Sequence, residues 1–501
     1  MSLGCGLINC GKPPASNPGP ARIPNATRSL SAGNNGDSEP TAVRPTSLPK
    51  SVLAARVDAQ RRILGRGNLF EGIDGKPIKI AHALPPEGES PPDADLLDAL
   101  PGSAGRLDET GRANTRVNGN ELGLVVPIEN PARQPGLAHF YEELRKLEQG
   151  VNEDGKVRIL AYGASHTQSD IYTGYLRTYL QARFGNGGQG FIPFTKLNKW
   201  HKMLDHGIES KGWILEHAQR RKSRADGFFG LLGASISSSS RRDFSRIYPR
   251  NDDARVNASH FELAFLGQPD GGKLKLVIDG ESKEIVDTAS KIHTAGYHTI
   301  DLEPGLHSFE VRPLGNGEVR VFGMISERDE PGVVIDTLGI SGTRAANMLK
   351  WDQELWTQAI RRRNPDLYMF AYGTNESNDT AQPIERYRTR LLGVLARFRD
   401  AVPKASCLIV GPGDVPRKLS DGSWGHRPRL DAIIDVQREV AFETECGFWD
   451  SREFMGGIGS MHLWATSRPQ MASRDHIHFT RRGYVRLGMA LADAMMAGYD
   501  R

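Results

Sequence analysis

VRILAYGASHTQSD, residues 157–170, is the stretch of this sequence that decides the fold most directly. Its beginning, VRILAY, is almost entirely apolar, as is typical of a strand buried on both faces of a parallel sheet. Gly163 ends the apolar run, and apolar residues at helical spacing follow from Tyr172 to Leu180. The stretch therefore predicts a strand, a tight turn and a helix, with Ser165 in the turn.

The same combination of strand and loop recurs twice further along the chain. DLYMFAYGTNE at 366–376 and ASCLIVGPGD at 405–414 each join a short apolar run to a loop that contains glycine. Amphipathic helical patterns lie at 136–150, 384–401 and 481–496. Strands that alternate with helices predict an α/β fold, in which a parallel sheet is covered on both faces. Ligands bind such sheets beyond the carboxyl ends of the strands, where GASH, GTNE and GPGD all lie.

Between residues 206 and 330 the apolar residues alternate instead of following helical spacing. HFELAFLG at 260–267 and GKLKLVIDG at 272–280 are two such runs, and Pro-Gly and Asn-Gly pairs mark the turns between runs of this kind. This pattern predicts an antiparallel β-sandwich. Since α/β elements precede and follow it, we expect it to be an insertion into the α/β domain. The segment 220–246 is predicted to be a weakly structured entry loop.

The sequence accordingly divides into four parts. Residues 1–50 are rich in Pro, Ser, Asn and Gly and predict a flexible tail, because they offer too little apolar surface to offset the entropy of ordering. Residues 51–130 are poorly defined, apart from a predicted helix around 52–64. The α/β domain is predicted to be discontinuous, over 131–205 and 331–501, and the inserted sandwich lies between these two ranges.

Composition excludes some classes of protein. The 64 Lys and Arg against 60 Asp and Glu, a net charge of +4, form no long block of one sign, so we expect no nucleic-acid partner. No apolar run approaches the roughly 18 residues of a transmembrane segment. The start lacks the pattern of a secretory signal, so we expect an intracellular protein or one whose signal is missing from this sequence. Two of the four cysteines lie in the predicted tail, and cysteine usage leaves the redox compartment open: Cys5, Cys10, Cys407, Cys446.

Ser165 is a candidate nucleophile because it follows a strand and begins a helix, where the exposed N–H groups favour a developing anion. Taken alone, a serine in this position is more often an N-cap. Tyr162, His166 and Asp170 are candidates for lining the same cleft, although helix packing or capping would explain each of them equally well.

RDHIHFTRRGY, near the end of the chain, contains Asp475 and His478. At this spacing a carboxylate can hold the Nδ1 of the imidazole, which leaves Nε2 to face a nucleophile. His476 lies between them and is predicted to be an exposed neighbour without a role. A metal site formed by these three residues is an alternative, but no partner cluster exists elsewhere in the sequence, so we predict no metal.

Two further loops offer donors for a negatively charged oxygen. LGISGTRAANM at 338–348 contains Gly342, and YGTNE at 372–376 contains Asn375. A glycine N–H and an asparagine amide at strand ends suit an oxyanion hole. Individually, each residue is equally consistent with a turn, in which Gly342 would adopt a positive φ.

Together, these segments resemble the four sequence blocks of the SGNH (GDSL-like) hydrolase superfamily. The resemblance implies a three-layer α/β/α fold with a flavodoxin-like parallel sheet, into which the antiparallel β-sandwich is inserted. It implies Ser165 as the nucleophile, with Asp475 and His478 completing the triad. It also implies an oxyanion hole formed by Ser165, Gly342 and Asn375, and no cofactor. One departure is Ala164, which replaces the aspartate of the GDS motif and affects the geometry of the loop more than the chemistry.

The position of the insertion narrows the resemblance. A β-sandwich between the first two blocks, with FGNGGQGF and PGVVIDTLGISGT on either side, is similar to the layout of bacterial peptidoglycan O-acetylesterases, whose inserted module resembles a carbohydrate-binding domain. This resemblance implies an acetyl ester of a carbohydrate as substrate and an extracytoplasmic location. Alternatives are an O-acetyltransferase on the same triad, a carbohydrate-binding protein without activity, and a lipid esterase. Aromatic residues of the insert are more often core residues than sugar platforms, so none is predicted to be a binding site: Trp213, Phe228, Phe229, Tyr248, Tyr297.

Overall fold

The structure is a computed structural model that describes residues 126–220, 223–250, 252–467 and 470–500. The predicted tail, nearly all of the poorly defined segment that follows it, and the helix predicted around 52–64 lie outside the described residues. Within the described ranges, no helix combines the length and the apolar character that a bilayer crossing requires.

The described strands have the following bounds: β1 Lys156–Gly163, β2 Gly188–Ile192, β3 His206–Lys211, β4 Ile214–His217, β5 Ala234–Ser238, β6 Phe244–Pro249, β7 Ala258–Gly267, β8 Lys273–Ile278, β9 Glu281–Asp287, β10 Thr294–Gly305, β11 Phe309–Pro313, β12 Val319–Glu327, β13 Gly332–Gly339, β14 Leu367–Ala371, β15 Ser406–Val410, β16 Arg417–Lys418, β17 Trp424–Gly425, β18 Gly447–Trp449. The described helices are α1 Ala138–Glu148, α2 Ser165–Gln168, α3 Tyr172–Phe184, α4 Gln353–Arg363, α5 Ile384–Ala401, α6 Pro428–Glu443, α7 Ser451–Met455, α8 Ser460–Thr466 and α9 Arg481–Tyr499. Short 3-10 helices span Ala254–Val256, Ala345–Lys350 and Glu376–Asn378.

Five parallel strands form the central sheet, in the order β13-β1-β14-β15-β18. Successive side chains of β1 point to opposite faces, so Ile159 and Ala161 join one core while Leu160 and Tyr162 join the other. Helices α1, α3 and α9 cover the first face, and α4, α5 and α6 cover the second. The predicted three-layer α/β/α fold is therefore confirmed.

Two antiparallel sheets form the inserted sandwich. One has the order β10-β7-β12-β5-β4, with β2 also paired to β12, and the other has the order β3-β6-β11-β8-β9. The alternating residues of the two quoted runs face the shared core: Phe261, Leu263, Phe265, Leu274, Leu276, Ile278. The predicted antiparallel sandwich is thus present, and its alternation arises because only one face of each sheet meets the other.

Two features of the insert differ from the prediction. Strand β2 pairs with β12 although it precedes residue 206, so the predicted boundary omits one strand of this sheet. The predicted entry loop at 220–246 contains β5 and part of β6. The serines of β5 concealed it, because Ser235 is buried and its hydroxyl accepts a hydrogen bond from the buried Arg320 instead of facing water.

A buried ionic network joins the insert to the central sheet. Glu327 of β12 accepts hydrogen bonds from Arg158 of β1 and from Arg363 at the end of α4. Arg363 also donates to Asp336 of β13 at 2.5 Å, and Asp336 accepts the backbone N–H of Phe191 in β2 at 2.7 Å. Burial opposes ionisation of Glu327, but the two guanidinium groups outweigh it and lower its pKa. The insert is therefore anchored to the sheet by paired charges.

A disulfide links the last two strands of the central sheet. Cys407 in β15 and Cys446, directly before β18, are bonded, with their Cα atoms 4.6 Å apart. Both cysteines are buried. Since β15 and β18 are adjacent and parallel, the bond crosses between neighbouring strands and closes a segment of 39 residues.

Candidate active site

Ser165 is the first residue of α2, just beyond the carboxyl end of β1. The turn between them is tight. A Cβ on Gly163 would lie only 2.0 Å from Oγ1 of Thr167, so the close approach of strand and helix requires glycine at this position. As the first helical residue, Ser165 has no preceding helical carbonyl to accept its N–H. Its backbone N–H is therefore free to face a ligand beside the hydroxyl.

His478 and Asp475 meet Ser165 from the loop that precedes α9. Nε2 of His478 lies 2.9 Å from Oγ of Ser165, and Nδ1 lies 2.7 Å from Oδ2 of Asp475. The other oxygen of Asp475 accepts the backbone N–H groups of Ile477 and His478, each at 3.0 Å. The structure thus brings the three predicted residues together, although 313 positions separate Ser165 from His478.

The charges fix the direction of these hydrogen bonds. Partial burial would raise the pKa of Asp475, but the hydrogen bonds from the side chain and backbone of His478 and from the backbone of Ile477 outweigh it and lower that pKa. The ionised carboxylate can only accept, so Nδ1 of His478 carries the proton. Nε2 is then an acceptor for the hydroxyl of Ser165, which is the arrangement that a general base requires.

His166 lies beside His478, and the centroids of the two rings are 5.5 Å apart. It also packs against Phe479 and Tyr484, and its Nδ1 lies 3.1 Å from the hydroxyl of Tyr484. Removal from water, together with the charge that His478 can carry, lowers the pKa of His166 to about 3, and Asp475 offsets this only in part. His166 is therefore a neutral neighbour of the base.

Gly342 lies in the loop that follows β13. Its φ of +79° is in the left-handed region, as expected for a glycine in such a turn. Its carbonyl accepts a hydrogen bond from the side chain of Gln219, and its own N–H donates to no group within the described residues. Gln168, at the end of α2, supports this loop by accepting the N–H of Ser341 at 2.8 Å. The predicted donor is therefore free and lies in a loop tied to the helix of Ser165.

Asn375 follows β14, the neighbour of β1 on its other side. One N–H of its side-chain amide donates to the carbonyl of Thr343 at 2.9 Å. A primary amide has a second N–H, which this bond leaves available. The amide of Asn375 is thus held against the loop of Gly342, and the two predicted donor loops are in direct contact.

A carboxylate that was not predicted from the sequence joins these two loops. Glu376 is buried, and its oxygens accept the backbone N–H groups of Ala345 at 2.9 Å and Gly373 at 3.1 Å. Arg344 and Asp379 add a salt bridge between the same loops, with hydrogen bonds of 2.6 and 2.7 Å. The sequence feature that could have indicated this carboxylate is the glutamate directly after the asparagine in GTNE. Burying a carboxylate there costs free energy unless N–H donors bind it.

Two other residues that were candidates for lining the cleft, Tyr162 and Asp170, are buried within the fold. Tyr162 is buried, and its hydroxyl donates to the carbonyl of Leu231 in the insert at 2.8 Å, so it does not line the cleft. Asp170 is buried at a φ of +50° and is paired with Arg177. Burial would raise the pKa of Asp170, but Arg177 and the N–H of Leu204 outweigh this and lower it.

The prediction that His476 is exposed was wrong, since only 6% of the residue is accessible. Trp424 stacks on the ring of His476, with the centroids 3.9 Å apart. Its Nδ1 lies 3.0 Å from the carbonyl of Arg474, and its Nε2 lies 3.0 Å from Nδ1 of His462. Both nitrogens of His476 therefore face groups other than Asp475 and His478.

Comparisons with known proteins identify a matching family model and similar solved structures. Residues 314–486 match the model of the GDSL-like lipase/acylhydrolase family, a range that contains Gly342, Asn375, Asp475 and His478 but not Ser165. A solved structure of a peptidoglycan O-acetylesterase is 25% identical, with a TM-score of 0.61, over 73% of this chain and 97% of that chain.

Two more distant solved structures are also esterases. An acetyl xylan esterase is 15% identical over 33% of this chain and 80% of that chain, with a TM-score of 0.25. A family two carbohydrate esterase from Clostridium thermocellum is 11% identical over 57% of this chain and 97% of that chain, with a TM-score of 0.24. A search of curated proteins found no match. From the matched family and the shared fold, we conclude that the chain is a carboxylic ester hydrolase with a GDSL-like, or SGNH, acylhydrolase domain.

Proposed function

We propose that the chain is a serine esterase that removes acetyl groups from a carbohydrate. Ser165 is the nucleophile, His478 the general base, and Asp475 the carboxylate that orients the base. The observation that carries this assignment is the continuous line of hydrogen bonds from Asp475 through His478 to Ser165, at 2.7 and 2.9 Å.

The reaction takes place in two steps. Oγ of Ser165 attacks the ester carbonyl while its proton passes to Nε2 of His478. His478 then returns that proton to the departing sugar hydroxyl, and an acetyl-serine is left. In the second step, His478 takes a proton from water, which attacks the acetyl carbon; acetate departs and Ser165 recovers its proton.

The developing negative charge needs donors that are already in place. We assign this role to the backbone N–H groups of Ser165 and Gly342 and to the side-chain amide of Asn375. The free N–H of Gly342 and the second amide proton of Asn375 support the assignment. These groups need no cofactor, and none is part of the proposal.

Two observations support a carbohydrate ester as the substrate class. The similarity to the solved peptidoglycan O-acetylesterase covers 73% of this chain, which is more than the proposed α/β domain alone. We propose that the inserted sandwich spans residues 206–330 together with β2, and that the α/β domain spans the remainder of 131–501. Hydrogen bonds of Asp336 fix the sandwich to the α/β domain as a second module. We propose that this module binds carbohydrate.

We further propose an extracytoplasmic location. Disulfides form and persist in oxidising compartments and are rare in the cytosol, and Cys407 is bonded to Cys446. The peptidoglycan named for the solved relative is also an extracytoplasmic polymer. Fractionation of cells that express the full-length gene, followed by detection of the chain in each fraction, tests the location directly.

Hydrolysis of p-nitrophenyl acetate tests the triad. Ser165→Ala should remove most of the activity while circular dichroism and the melting temperature stay unchanged. Ser210→Ala, on the exposed end of β3, is the matched control and should retain full activity. Activity retained by Ser165→Ala would refute the assignment. A wild-type chain that fails to react with a serine-directed phosphonate would instead indicate a carbohydrate-binding protein without activity.

Released products identify the substrate and the acceptor. A panel of acetylated polysaccharides, assayed for acetate, should give release by the wild-type chain and none by Ser165→Ala. Transfer of acetyl to an added sugar acceptor in place of acetate release would identify an O-acetyltransferase. A preference for long-chain p-nitrophenyl esters over acetate would identify a lipid esterase.

A further inference from the structure

An exposed tryptophan, which is not part of the triad or the oxyanion hole, is connected by hydrogen bonds to the helix that Ser165 begins. Trp200 is 72% exposed, more than any other large apolar residue within the described ranges. Tryptophan is mostly buried in folded proteins, because its indole has a large apolar surface. The exposure of Trp200 is therefore costly unless a ligand covers the ring.

Hydrogen bonds connect Trp200 to the residues around Ser165. The backbone N–H of Trp200 donates to Oδ1 of Asn198 at 2.9 Å. The amides of Asn198 and Gln168 form a reciprocal pair, with both hydrogen bonds at 3.2 Å. Gln168 ends the helix that Ser165 begins, and it also accepts the N–H of Ser341, the neighbour of Gly342. Trp200 is thus tied through two side-chain amides to both the nucleophile helix and the oxyanion loop.

The loop around the indole is held in place. The N–H of Leu197 donates to Nδ1 of His201 at 3.1 Å, and the N–H of Leu204 donates to the buried Asp170 at 2.8 Å. Burial lowers the pKa of His201 to about 4, so this ring stays neutral and remains an acceptor at neutral pH. The position of Trp200 is therefore set by both ends of its loop.

The charged side chains of the segment that contains Trp200 have one sign. Residues 195–204 contain three lysines and no aspartate or glutamate. Lys196, Lys199 and Lys202 are exposed, and none of them has a carboxylate within salt-bridge distance in the described part of the chain. Nζ of Lys199 lies 4.9 Å from the centroid of the Trp200 ring, so a cation already covers one side of the indole.

We propose that Trp200 and these three lysines form a subsite for an acidic sugar, which stacks on the open face of the indole while its carboxylate meets the lysines. This subsite deepens the proposed function, on which it rests: it would hold a sugar ring of the chain whose acetyl group enters the active site. The substrate class is then an acetylated acidic glycan rather than a neutral one. A lone tryptophan offers too little apolar area to insert into a membrane, and its backbone is connected through Asn198 to Gln168 of the nucleophile helix.

Binding to the inactive, full-length Ser165→Ala chain tests the subsite without requiring turnover. We choose oligogalacturonate as the acidic probe and xylohexaose as the neutral one, both measured by isothermal titration calorimetry. The acidic probe should bind at least tenfold more tightly at low salt, and the difference should shrink at 0.5 M salt because exposed charges are then screened. Equal affinity for the two probes, or no measurable binding of either, would overturn the proposal.

Two variants in the Ser165→Ala background separate stacking from charge. Trp200→Ala should weaken binding of oligogalacturonate about tenfold, and Trp200→Phe should recover most of that loss. Replacement of the three lysines by glutamine should remove the preference for the acidic probe. Ile285→Ala, an exposed apolar residue on β9, is the matched control and should change nothing.

Catalysis gives an independent readout that separates the subsite from the triad. In the active chain, Trp200→Ala should raise KM for an acetylated acidic polysaccharide about tenfold with a smaller change in kcat, and an unchanged KM would contradict the subsite. A wild-type chain that does not hydrolyse p-nitrophenyl acetate would instead contradict the proposed function. The wild-type chain could instead bind anionic phospholipid vesicles but not oligogalacturonate, with the vesicle binding abolished by Trp200→Ala. That result would identify a membrane surface, and not a sugar, as the ligand of Trp200.

Discussion

The carboxylate of Glu376 accepts the backbone N–H of Ala345 at 2.9 Å, and so joins the loop after β14 to the loop after β13. Its second oxygen accepts the N–H of Gly373. Glu376→Gln replaces one acceptor with an NH2 group that would face an N–H donor, and an unmet buried donor costs about 1–3 kcal/mol. We expect kcat to fall about tenfold or more with a smaller change in KM, since the oxyanion loops shift relative to each other.

Kinetics with p-nitrophenyl acetate and thermal unfolding together measure this effect. Glu385→Gln, at an exposed position in the first turn of α5, makes the same chemical change outside the site and should leave kcat unaltered. If Glu376→Gln lowered the melting temperature but preserved kcat, Glu376 would be a stabilising residue with no part in positioning the donors.

Asn375→Ala removes both the proposed oxyanion donor and the bond to Thr343. Loss of one donor of this kind typically lowers turnover about 100 to 1,000-fold, so the variant should be less active than wild type but more active than Ser165→Ala. Steady-state rates of the three chains provide the test. Asn152→Ala, in the loop that leads into β1 at the opposite end of the strand, serves as the control. Rates for Asn375→Ala within threefold of wild type would exclude Asn375 from the oxyanion hole.

The low pKa of His166 should make stability depend on pH. Between pH 6.5 and its folded pKa of about 3, His166 binds a proton only in the unfolded chain, so its contribution to stability falls as the pH is lowered. From pH 7 to pH 5 this amounts to about 2 kcal/mol of unfolding free energy. From pH 7 to pH 5, the unfolding free energy of His166→Gln should therefore fall by about 2 kcal/mol less than that of wild type.

Urea unfolding at pH 7 and pH 5 measures the difference. His201 and His217, for which removal from water lowers the pKa to about 4, contribute equally to the pH dependence of both chains, so their contributions cancel. An identical pH dependence in the two chains would show that the pKa of His166 is the same in the folded and the unfolded protein.

The Cys407–Cys446 disulfide should stabilise the fold by restricting the conformations that the unfolded chain can adopt. For the 39-residue segment that it closes, loop-closure entropy predicts about 3 to 4 kcal/mol. Cys407→Ala combined with Cys446→Ala should lower the unfolding free energy by roughly this amount. Denaturant unfolding with and without reductant measures it, and the double variant should be insensitive to reductant. Mass spectrometry that finds Cys407 and Cys446 as free thiols in the wild-type chain would remove the basis of this prediction.

Local sequence was sufficient to predict the α/β core and the position of Ser165. The apolar run before Gly163 and the helical spacing after it depend on neighbouring residues alone, since a strand buried on both faces admits few polar side chains. Alternation over 260–267 and 272–280 identified the sandwich for the same reason. Alternation did not identify β5, where Ser235 accepts a hydrogen bond from the buried Arg320, 85 positions away in the chain.

Sequence by itself determined which chemical groups follow the strands, because the residue types specify a hydroxyl, an imidazole and an amide. It also indicated that these groups lie at one edge of the sheet, since the carboxyl ends of parallel strands meet there. Only the tertiary structure decided that Nε2 of His478 comes within 2.9 Å of Ser165, that Glu376 is buried between two loops, and that His476 is covered by Trp424 while Trp200 is left exposed. Burial and hydrogen bonding between distant segments depend on how the loops pack, and no local pattern encodes that packing.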